Sequence, residues 1–178
     1  MVKQTIRERM LEKRSNMKDK EKLDKQILEN VLAFSKDDVT IAIFHSFNDE
    51  INTLPIIEAL LNRGKVVVCP KIEKGVMNFY PIKNLNDFEL GYFDIMEPKS
   101  KTIISPSKID LMLVPLLAYN DKMYRIGYGG GFYDRYLSKY HAKKIGLAYR
   151  FQHIHESFEK AHDIALDGII NEKGRELL

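Results

Sequence analysis

Short apolar segments that alternate with helical segments constrain the fold of this 178-residue chain more than any other feature. Apolar segments rich in β-branched residues occur at 39–44, 65–69, 77–82, 109–115, 143–149 and 167–171. Strands that are apolar along their whole length are buried on both faces, which is typical of parallel sheets covered by helices. We therefore predict an α/β fold with a mostly parallel, mixed central sheet flanked by helices, in a Rossmann-like α/β/α arrangement.

Apolar residues at helical spacing precede and interrupt these strands. The predicted helices are an N-terminal pair over 2–15 and 17–34, one that begins at Thr53, and one over about 131–140. Either Ser15 or Asn16 is available to cap the second helix. Ligands of such sheets bind beyond the carboxyl ends of the strands, so the segments that follow the strands are the candidates for function.

Composition and charge exclude several classes of protein. No 18-residue apolar run is present to span a bilayer, and the N-terminus lacks the apolar stretch of a secretory signal. The single cysteine, Cys69, lies in an apolar strand, which excludes an internal disulfide and indicates a buried thiol in a reducing compartment. A net charge of +3 is too balanced for bulk nucleic-acid binding but suits a small anionic ligand. With no repeat or linker in the sequence, we expect residues 1–178 to form a single, monomeric, cytoplasmic domain.

A glycine-rich loop is the strongest candidate for a binding site. Four glycines lie between Arg125 and Asp134, and a predicted helix begins where they end. Glycines let backbone N–H groups approach an anion, the helix N-terminus adds positive potential, and Arg125 can bind two phosphate oxygens. No Lys-Ser/Thr pair follows the last glycine, and Phe132 stands where a dinucleotide fingerprint has its third glycine. The loop therefore predicts a phosphate site of another type.

Basic residues of the first helix are predicted to support the same site. At about 100° per residue, Lys3, Arg7 and Arg14 lie within about 40° of one another, so three cations can converge on one anion. Asp134, in the first turn of the helix after the loop, is placed to share Mg²⁺ with phosphate oxygens. A solvated basic face and a plain helix-start carboxylate are the alternative interpretations of these residues.

The loop sequence RIGYGGGFYDR resembles the 5-formyltetrahydrofolate cyclo-ligases, also called methenyltetrahydrofolate synthetases. The resemblance continues in order over nearly the whole chain, through KQTIR, HSFNDEINT, VVVCPKI, MNFYPI, GYFDIMEP, LAYRFQ and AHDIALDGIINEKG. It implies an α/β fold, ATP and Mg²⁺ as requirements, and 5-formyltetrahydrofolate as substrate. The implied reaction closes this folate to 5,10-methenyltetrahydrofolate, through an N5-iminium phosphate, and releases ADP and phosphate.

The resemblance also implies roles for individual residues. Arg125, Tyr133 and Asp134 are implied as catalytic, and Asp134 and Asp163 as the Mg²⁺ ligands. The implied contacts of ATP are Lys3, Gln4, Thr5, Ile6, Arg7, Arg125, Ile126, Gly127, Tyr128, Gly129, Gly130, Gly131, Phe132 and Tyr133. The implied contacts of the folate are His45, Glu50, Tyr128, Gly129, Gly130, Gly131 and Phe132.

The chain departs from the family pattern at three positions. Met123 stands where a glycine is expected, and a positive φ there would cost about 1 kcal/mol, so we expect the turn to differ locally. His45 and its neighbours differ from the family pattern, and Asn171 replaces an expected threonine.

Two alternatives compete with the ligase interpretation. A sugar-phosphate isomerase or acyl-CoA transferase on a related scaffold would also use a phosphate-binding glycine loop, but would need no ATP hydrolysis. A nucleic-acid-binding protein would use the first 25 residues, which hold nine Lys/Arg against five Asp/Glu.

Overall fold

The structure, a computed structural model, describes residues 2–177 and contains a mixed seven-stranded sheet with helices on both faces. The helices are α1 (Val2–Ser15), α2 (Lys20–Phe34), α3 (Leu54–Asn62) and α4 (Phe132–Leu137). The strands are β1 (Thr40–Ala42), β2 (Val66–Glu73), β3 (Val76–Ile82), β4 (Phe88–Leu90), β5 (Met96–Pro98), β6 (Leu111–Val114), β7 (Ala118–Tyr119), β8 (Arg125–Ile126), β9 (Lys143–Leu147), β10 (Gly168–Asn171) and β11 (Gly174–Leu177).

The central sheet has the strand order β11-β10-β9-β6-β1-β2-β3. Its five inner strands are parallel, and the two edge strands, β3 and β11, are antiparallel to their neighbours. Two further antiparallel pairs, β4-β5 and β7-β8, lie outside this sheet. The α/β prediction with a mostly parallel, mixed sheet is confirmed.

Alternate residues of the inner strands pack against different helices, which explains why these strands are apolar throughout. Ile41, Leu113 and the predicted buried thiol of Cys69 share one core with α2 and α3. On the opposite face, Ala42 and Met112 share a second core with α4. A small third cluster joins α1 to β7, β8 and the segment after β9.

Several predicted boundaries were wrong. Helix α2 begins at Lys20, and its N-cap Asp19 lies in the left-handed region without a side-chain cap, so Ser15 and Asn16 do not cap it. Strand β2 extends to Glu73, because a two-residue turn at Lys74 and Gly75, both with positive φ, pairs it with β3. Helix α4 has six residues and ends at Leu137, whereas 131–140 was predicted.

Met123 adopts the conformation that its family position was expected to require. Its φ is +64°, so the turn has left-handed geometry at a residue other than glycine, and a local difference from the family's turn stays a prediction. The Met123 amide donates to the Asn120 carbonyl over 2.9 Å, and the side chain is buried in the α4 core. The burial of this side chain offsets the backbone strain.

We predict that Met123→Gly destabilises the protein by about 1–4 kcal/mol. Removing the strain gains about 1 kcal/mol, whereas deleting a buried methionine side chain costs about 2–5 kcal/mol. The matched control is Lys74→Gly, an exposed residue with φ +52°, which we expect to gain up to about 1 kcal/mol. Urea unfolding measures both variants, and a Met123→Gly protein more stable than its parent would contradict the account.

Asn171 has a structural role at the turn between β10 and β11. Its side-chain oxygen accepts from the Lys173 amide over 2.8 Å, and its side-chain amide donates to Glu176 over 3.1 Å. These bonds hold the turn that returns the chain along the edge of the sheet.

No described helix is both long and apolar enough to cross a membrane.

Candidate active site

One cleft of about 970 Å³ opens beyond the carboxyl ends of β1 and β6, where the parallel topology predicted a ligand. The residues predicted for function that line it are Lys3, Arg7, His45, Glu50, Arg125, Ile126, Gly127, Tyr128, Gly129, Gly130, Gly131, Phe132, Tyr133, Asp134 and Asp163. Residues that are distant in sequence are thus brought together around a single cavity.

Backbone geometry explains the need for glycine in the loop. Gly129 has φ +109°, a conformation that side chains other than glycine rarely adopt. A Cβ atom at Gly127 would overlap the guanidinium of Arg125. Because α4 is only six residues long, the loop amides and nearby cations supply more of the positive potential than its macrodipole does.

Arg125 lies at the base of the loop and is only 8% exposed. Its Nε donates to the Pro115 carbonyl over 3.0 Å, and its guanidinium lies 5.3 Å from the centre of the Tyr133 ring. Burial lowers the pKa of Arg125, while the Asp134 carboxylate, 4.0 Å away, opposes that shift. An arginine stays protonated in proteins, so the cleft has a fixed cation in a partly apolar wall.

The Tyr133 hydroxyl is buried and has no hydrogen-bond partner among the described residues. Burial raises the pKa of Tyr133, so the phenol keeps its proton. A protonated and unpartnered phenol that lines the cleft is available to donate to a bound ligand.

Asp134 and Asp163 lie on the same side of the cleft, joined through the backbone. The Ile164 amide, next to Asp163, donates to Asp134 Oδ1 over 3.4 Å. Asp163 Oδ2 accepts from Lys3 Nζ over 2.7 Å and from the Lys160 amide over 2.9 Å. Burial opposes ionisation of Asp163, but these two donors keep its pKa below the ordinary value.

The second oxygen of Asp163 distinguishes this carboxylate from a purely structural one. Oδ1 is buried without a hydrogen-bond partner among the described residues, and His162 Nε2 lies 3.5 Å from it. Buried polar atoms are rarely left unpaired unless a ligand or ion completes them. Two carboxylates with free oxygen positions beside a phosphate-type loop fit the oxygen ligands that Mg²⁺ prefers.

Helix α1 borders the cleft through two of its basic residues. Arg7 Nε donates to the Gly127 carbonyl over 2.8 Å, which places the guanidinium beside the loop. Lys3 binds Asp163, and Arg14 binds Tyr128, so the expected convergence of three cations on one point was wrong. Each cation instead holds a different part of the cleft wall.

Three residues of the implied ATP segment do not line the cleft. Ile6 is buried in the small core that docks α1, as its helical position beside Met10 requires. Gln4 is exposed and exchanges hydrogen bonds with Glu8 and Arg7, and Thr5 is exposed. Their role as ATP contacts stays a prediction.

A hydrogen-bonded chain of three residues forms the other end of the cleft. Arg14 Nη2 donates to the Tyr128 hydroxyl over 2.8 Å, and that hydroxyl donates to Glu50 Oε2 over 3.3 Å. Glu50 is 6% exposed, and its Oε1 accepts from the Phe47 amide over 3.0 Å. Burial raises the pKa of Glu50, while the Phe47 amide and Arg14 oppose the shift. Glu50 therefore belongs to an ordered wall rather than to a solvated turn.

His45 lies near this end but is held by different contacts. Its Nδ1 lies 3.0 Å from the Ser46 carbonyl, and its ring packs edge-on against Phe88 at 4.7 Å. The imidazole lines the cleft with a fixed orientation.

Sequence reasoning missed part of the cleft wall. The residues without a predicted role include Phe47, Lys71, Phe93, Ile95, Met96, Glu97 and His162. Lys71 is 6% exposed, donates to the Ser100 carbonyl over 2.8 Å, and lies 4.3 Å from the centre of the Tyr80 ring. A lysine inside an apolar strand was a usable signal for Lys71. Phe93, Ile95, Met96 and Glu97 depend on how the β4-β5 hairpin folds, and Phe47 and His162 lie in loops with no periodic pattern.

Comparisons with known proteins identify the family and the fold of this chain. The model of the 5-formyltetrahydrofolate cyclo-ligase family matches residues 1–172. A 5-formyltetrahydrofolate cyclo-ligase of Mycoplasma genitalium is 34% identical over 176 residues, covering 94% of this chain and 96% of that protein.

Solved structures extend the likeness to the fold. A 5,10-methenyltetrahydrofolate synthetase of Aquifex aeolicus has a TM-score of 0.88 at 28% identity, covering 99% of this chain and 93% of that one. One of Mycoplasma pneumoniae has a TM-score of 0.79 at 29% identity, covering 97% and 99%. With the family model, the curated relative and the fold in agreement, this chain belongs to the 5-formyltetrahydrofolate cyclo-ligase family.

Proposed function

We propose that this protein closes 5-formyltetrahydrofolate to 5,10-methenyltetrahydrofolate with conversion of ATP to ADP and phosphate. The main support for the proposal is that the two ends of the cleft carry different charged groups, in a chain that belongs to this family. Lys3, Arg7 and Arg125 surround the glycine loop at one end, and the buried Glu50 and Tyr128 pair forms the other. The cationic end suits the polyphosphate, and the carboxylate end suits the N–H donors of the pterin.

The proposed reaction begins when the N5-formyl oxygen attacks the γ-phosphorus of ATP. The bond from phosphorus to the bridging oxygen breaks, and ADP departs with that electron pair. N10 then attacks the activated formyl carbon and loses its proton, and the carbon–oxygen bond breaks as phosphate leaves. Phosphorylation thus turns a poor leaving group, oxide, into a good one.

In this proposal the side chains position the reactants and neutralise charge. The buried Arg125 guanidinium and the loop amides stabilise negative charge on the transferred phosphoryl group. The Tyr133 hydroxyl keeps its proton and donates a hydrogen bond to a phosphate oxygen. Asp134 and Asp163 would hold Mg²⁺, which when bound neutralises charge on the phosphate oxygens. No covalent enzyme intermediate is needed.

Glu50 orients the folate in this scheme. Its carboxylate is already fixed by the Phe47 amide and the Tyr128 hydroxyl, so little further ordering is required when a pterin binds. Tyr128 belongs both to this pair and to the glycine loop, which brings the folate to the phosphoryl group.

We predict that the purified protein forms the methenyl product only when 5-formyltetrahydrofolate, ATP and Mg²⁺ are all present. The product absorbs in the near ultraviolet and the substrate does not, so a continuous absorbance assay measures the reaction. Excess EDTA is the control for the metal and omission of nucleotide is the control for the ligase chemistry. Full turnover in EDTA would contradict the metal role, and full conversion without nucleotide would contradict the proposed function.

A further inference from the structure

Outside the cleft, the described residues contain one group of at least three side chains that could hold a metal ion: Asp121, His153 and His155. None of the three lines the cleft. His153 Nε2 lies 2.7 Å from Asp121 Oδ1, and His155 Nδ1 lies 3.1 Å from Asp121 Oδ2. One potential ligand atom of each residue lies within 4.8 Å of those of the other two.

The cluster brings together the ligand types of a transition-metal site. Tetrahedral ligand bonds of about 2.0–2.1 Å place neighbouring ligand atoms about 3.3 Å apart. His155 Nδ1, 3.1 Å from Asp121, is close to this separation, whereas His153 Nε2 is hydrogen-bonded to Asp121 at 2.7 Å and would move outward by about 0.6 Å when a metal binds. Two imidazoles and one carboxylate favour Zn²⁺ and its neighbours in the first transition row over Mg²⁺ or Ca²⁺, which take oxygen ligands. Three protein ligands leave further positions for water.

The fold holds these side chains in place. His153 stacks on the buried Tyr119 ring at 4.9 Å, with the two planes only 8° apart. The Ile154 amide donates to the Tyr119 carbonyl over 2.8 Å, which anchors the segment between the two histidines. In extended backbone, residues two apart project to the same side, so His155 follows His153 towards Asp121.

Asp121 is positioned by the turn that precedes the glycine loop. The Asn120 side-chain oxygen accepts from the Lys122 amide over 3.1 Å and from the Tyr124 amide over 3.2 Å. Nearby carboxylates are already paired with cations, Glu159 with Lys122 and Glu156 with Arg9. The cluster is therefore a distinct set of ligands.

We propose that Asp121, His153 and His155 form a second metal site, selective for a divalent transition metal such as Zn²⁺ and separate from the Mg²⁺ site of the cleft. Bound there, the metal would join the turn at 120–124 to the segment at 153–155. Since the turn leads directly into β8 and the glycine loop, the metal would stabilise the support of the active site rather than its chemistry.

The test is a titration of the full chain with Zn²⁺ against a chromophoric chelator, in the presence of saturating Mg²⁺. We expect one Zn²⁺ per chain in the parent protein, and at least about tenfold weaker binding in His155→Ala. The side chain of His155 is 82% exposed, so this variant should fold normally, which circular dichroism checks. The matched control is His141→Ala, an exposed histidine outside the cluster, which should bind as the parent does.

A second measurement separates this site from the carboxylates of the cleft. Co²⁺ bound by imidazole in a four- or five-coordinate site gives visible absorption bands, and these should be present in the parent and in His141→Ala but lost in Asp121→Asn and His155→Ala. Saturating Zn²⁺ should raise the Tm of the parent by a few degrees and that of His155→Ala by less. Equal Zn²⁺ affinity in the parent and His155→Ala, or no stoichiometric Zn²⁺ in the parent, would overturn the proposal.

Discussion

Replacing Asp134 with asparagine is expected to lower kcat by about two orders of magnitude or more, a far larger effect than on folding, where the loss of the helix-start charge alone costs about 1 kcal/mol or less. The side chain is 20% exposed, lies 4.0 Å from Arg125 and accepts a long hydrogen bond, 3.4 Å, from the Ile164 amide. Asparagine keeps this shape but loses the charge that would hold Mg²⁺ at the loop. The loss should therefore appear in turnover and in the Mg²⁺ concentration needed for it, measured at saturating ATP and folate.

The matched control is Asp37→Asn, an exposed aspartate between α2 and β1. Because Asp37 precedes β1 and the cleft follows it, this residue lies at the opposite end of the strand. Its variant should turn over as the parent does. An Asp134→Asn protein with parental kcat and parental Mg²⁺ dependence would show that Asp134 only completes the helix start.

Glu50→Gln is expected to weaken folate binding by one to two orders of magnitude and to leave ATP affinity nearly unchanged. Loss of charge-assisted hydrogen bonds to the pterin costs about 1.5–3 kcal/mol, which corresponds to that change in affinity. Calorimetric titration with 5-formyltetrahydrofolate, and separately with a non-hydrolysable ATP analogue, measures both constants. The opposite result is expected for Arg7→Ala, because Arg7 contacts the glycine loop and not the Glu50 end.

Arg7 is a better probe of the ATP end than Lys3. Lys3 forms the ion pair with the buried Asp163, so its removal also leaves that carboxylate without its neutralising partner. If both affinities fall together in Glu50→Gln and in Arg7→Ala, the two ends of the cleft are coupled or these residues only hold the fold, and the separate assignments fail.

The same Glu50→Gln variant has a pH signature. Burial raises the pKa of Glu50 in the folded protein above that in the unfolded chain, about 4.3. Protonated Glu50 stabilises the folded protein, and this contribution to the free energy of unfolding is fully present below the pKa of the unfolded chain. It is lost as the pH rises through the pKa of Glu50 in the folded protein. Glutamine has no proton to lose, so the variant should gain stability relative to the parent as the pH rises from the unfolded pKa through the raised pKa of folded Glu50. Parallel stability curves would contradict the burial argument.

The pattern of apolar residues along the sequence predicted the inner strands of the central sheet. It could not predict the short strands whose pairing depends on tertiary contacts. The inner strands are apolar on both faces, so each was recognisable in the sequence as a short continuous apolar segment. Strands β4, β5 and β11 have three or four residues each and mixed burial, so no period could mark them. Met123 shows the reverse case, because burial of a side chain overcame a backbone preference that local rules treat as decisive.

The candidate site was predictable where one segment supplies the chemistry. Arg125 to Asp134 is such a segment, and its residues line the cleft as expected. Helical periodicity could also have placed Ile6 in the core and away from a ligand, since Met10 lies one turn later on the same face. The Arg14, Tyr128 and Glu50 chain was beyond sequence reasoning, because its members come from three elements that only the folded chain joins.

The contacts of α1 determine how much of the chain must be synthesised before the cleft is complete. Its bonds to the cleft join residues 114, 120 and 160 positions apart, from Arg14 to Tyr128, Arg7 to Gly127 and Lys3 to Asp163. Helix α1 is synthesised well before each of these partners, and Asp163 is the last of them to be made. Contacts of such long separation form late in folding. The cleft is therefore completed only after Asp163 has been synthesised, and a chain that stops before this residue cannot present a finished site.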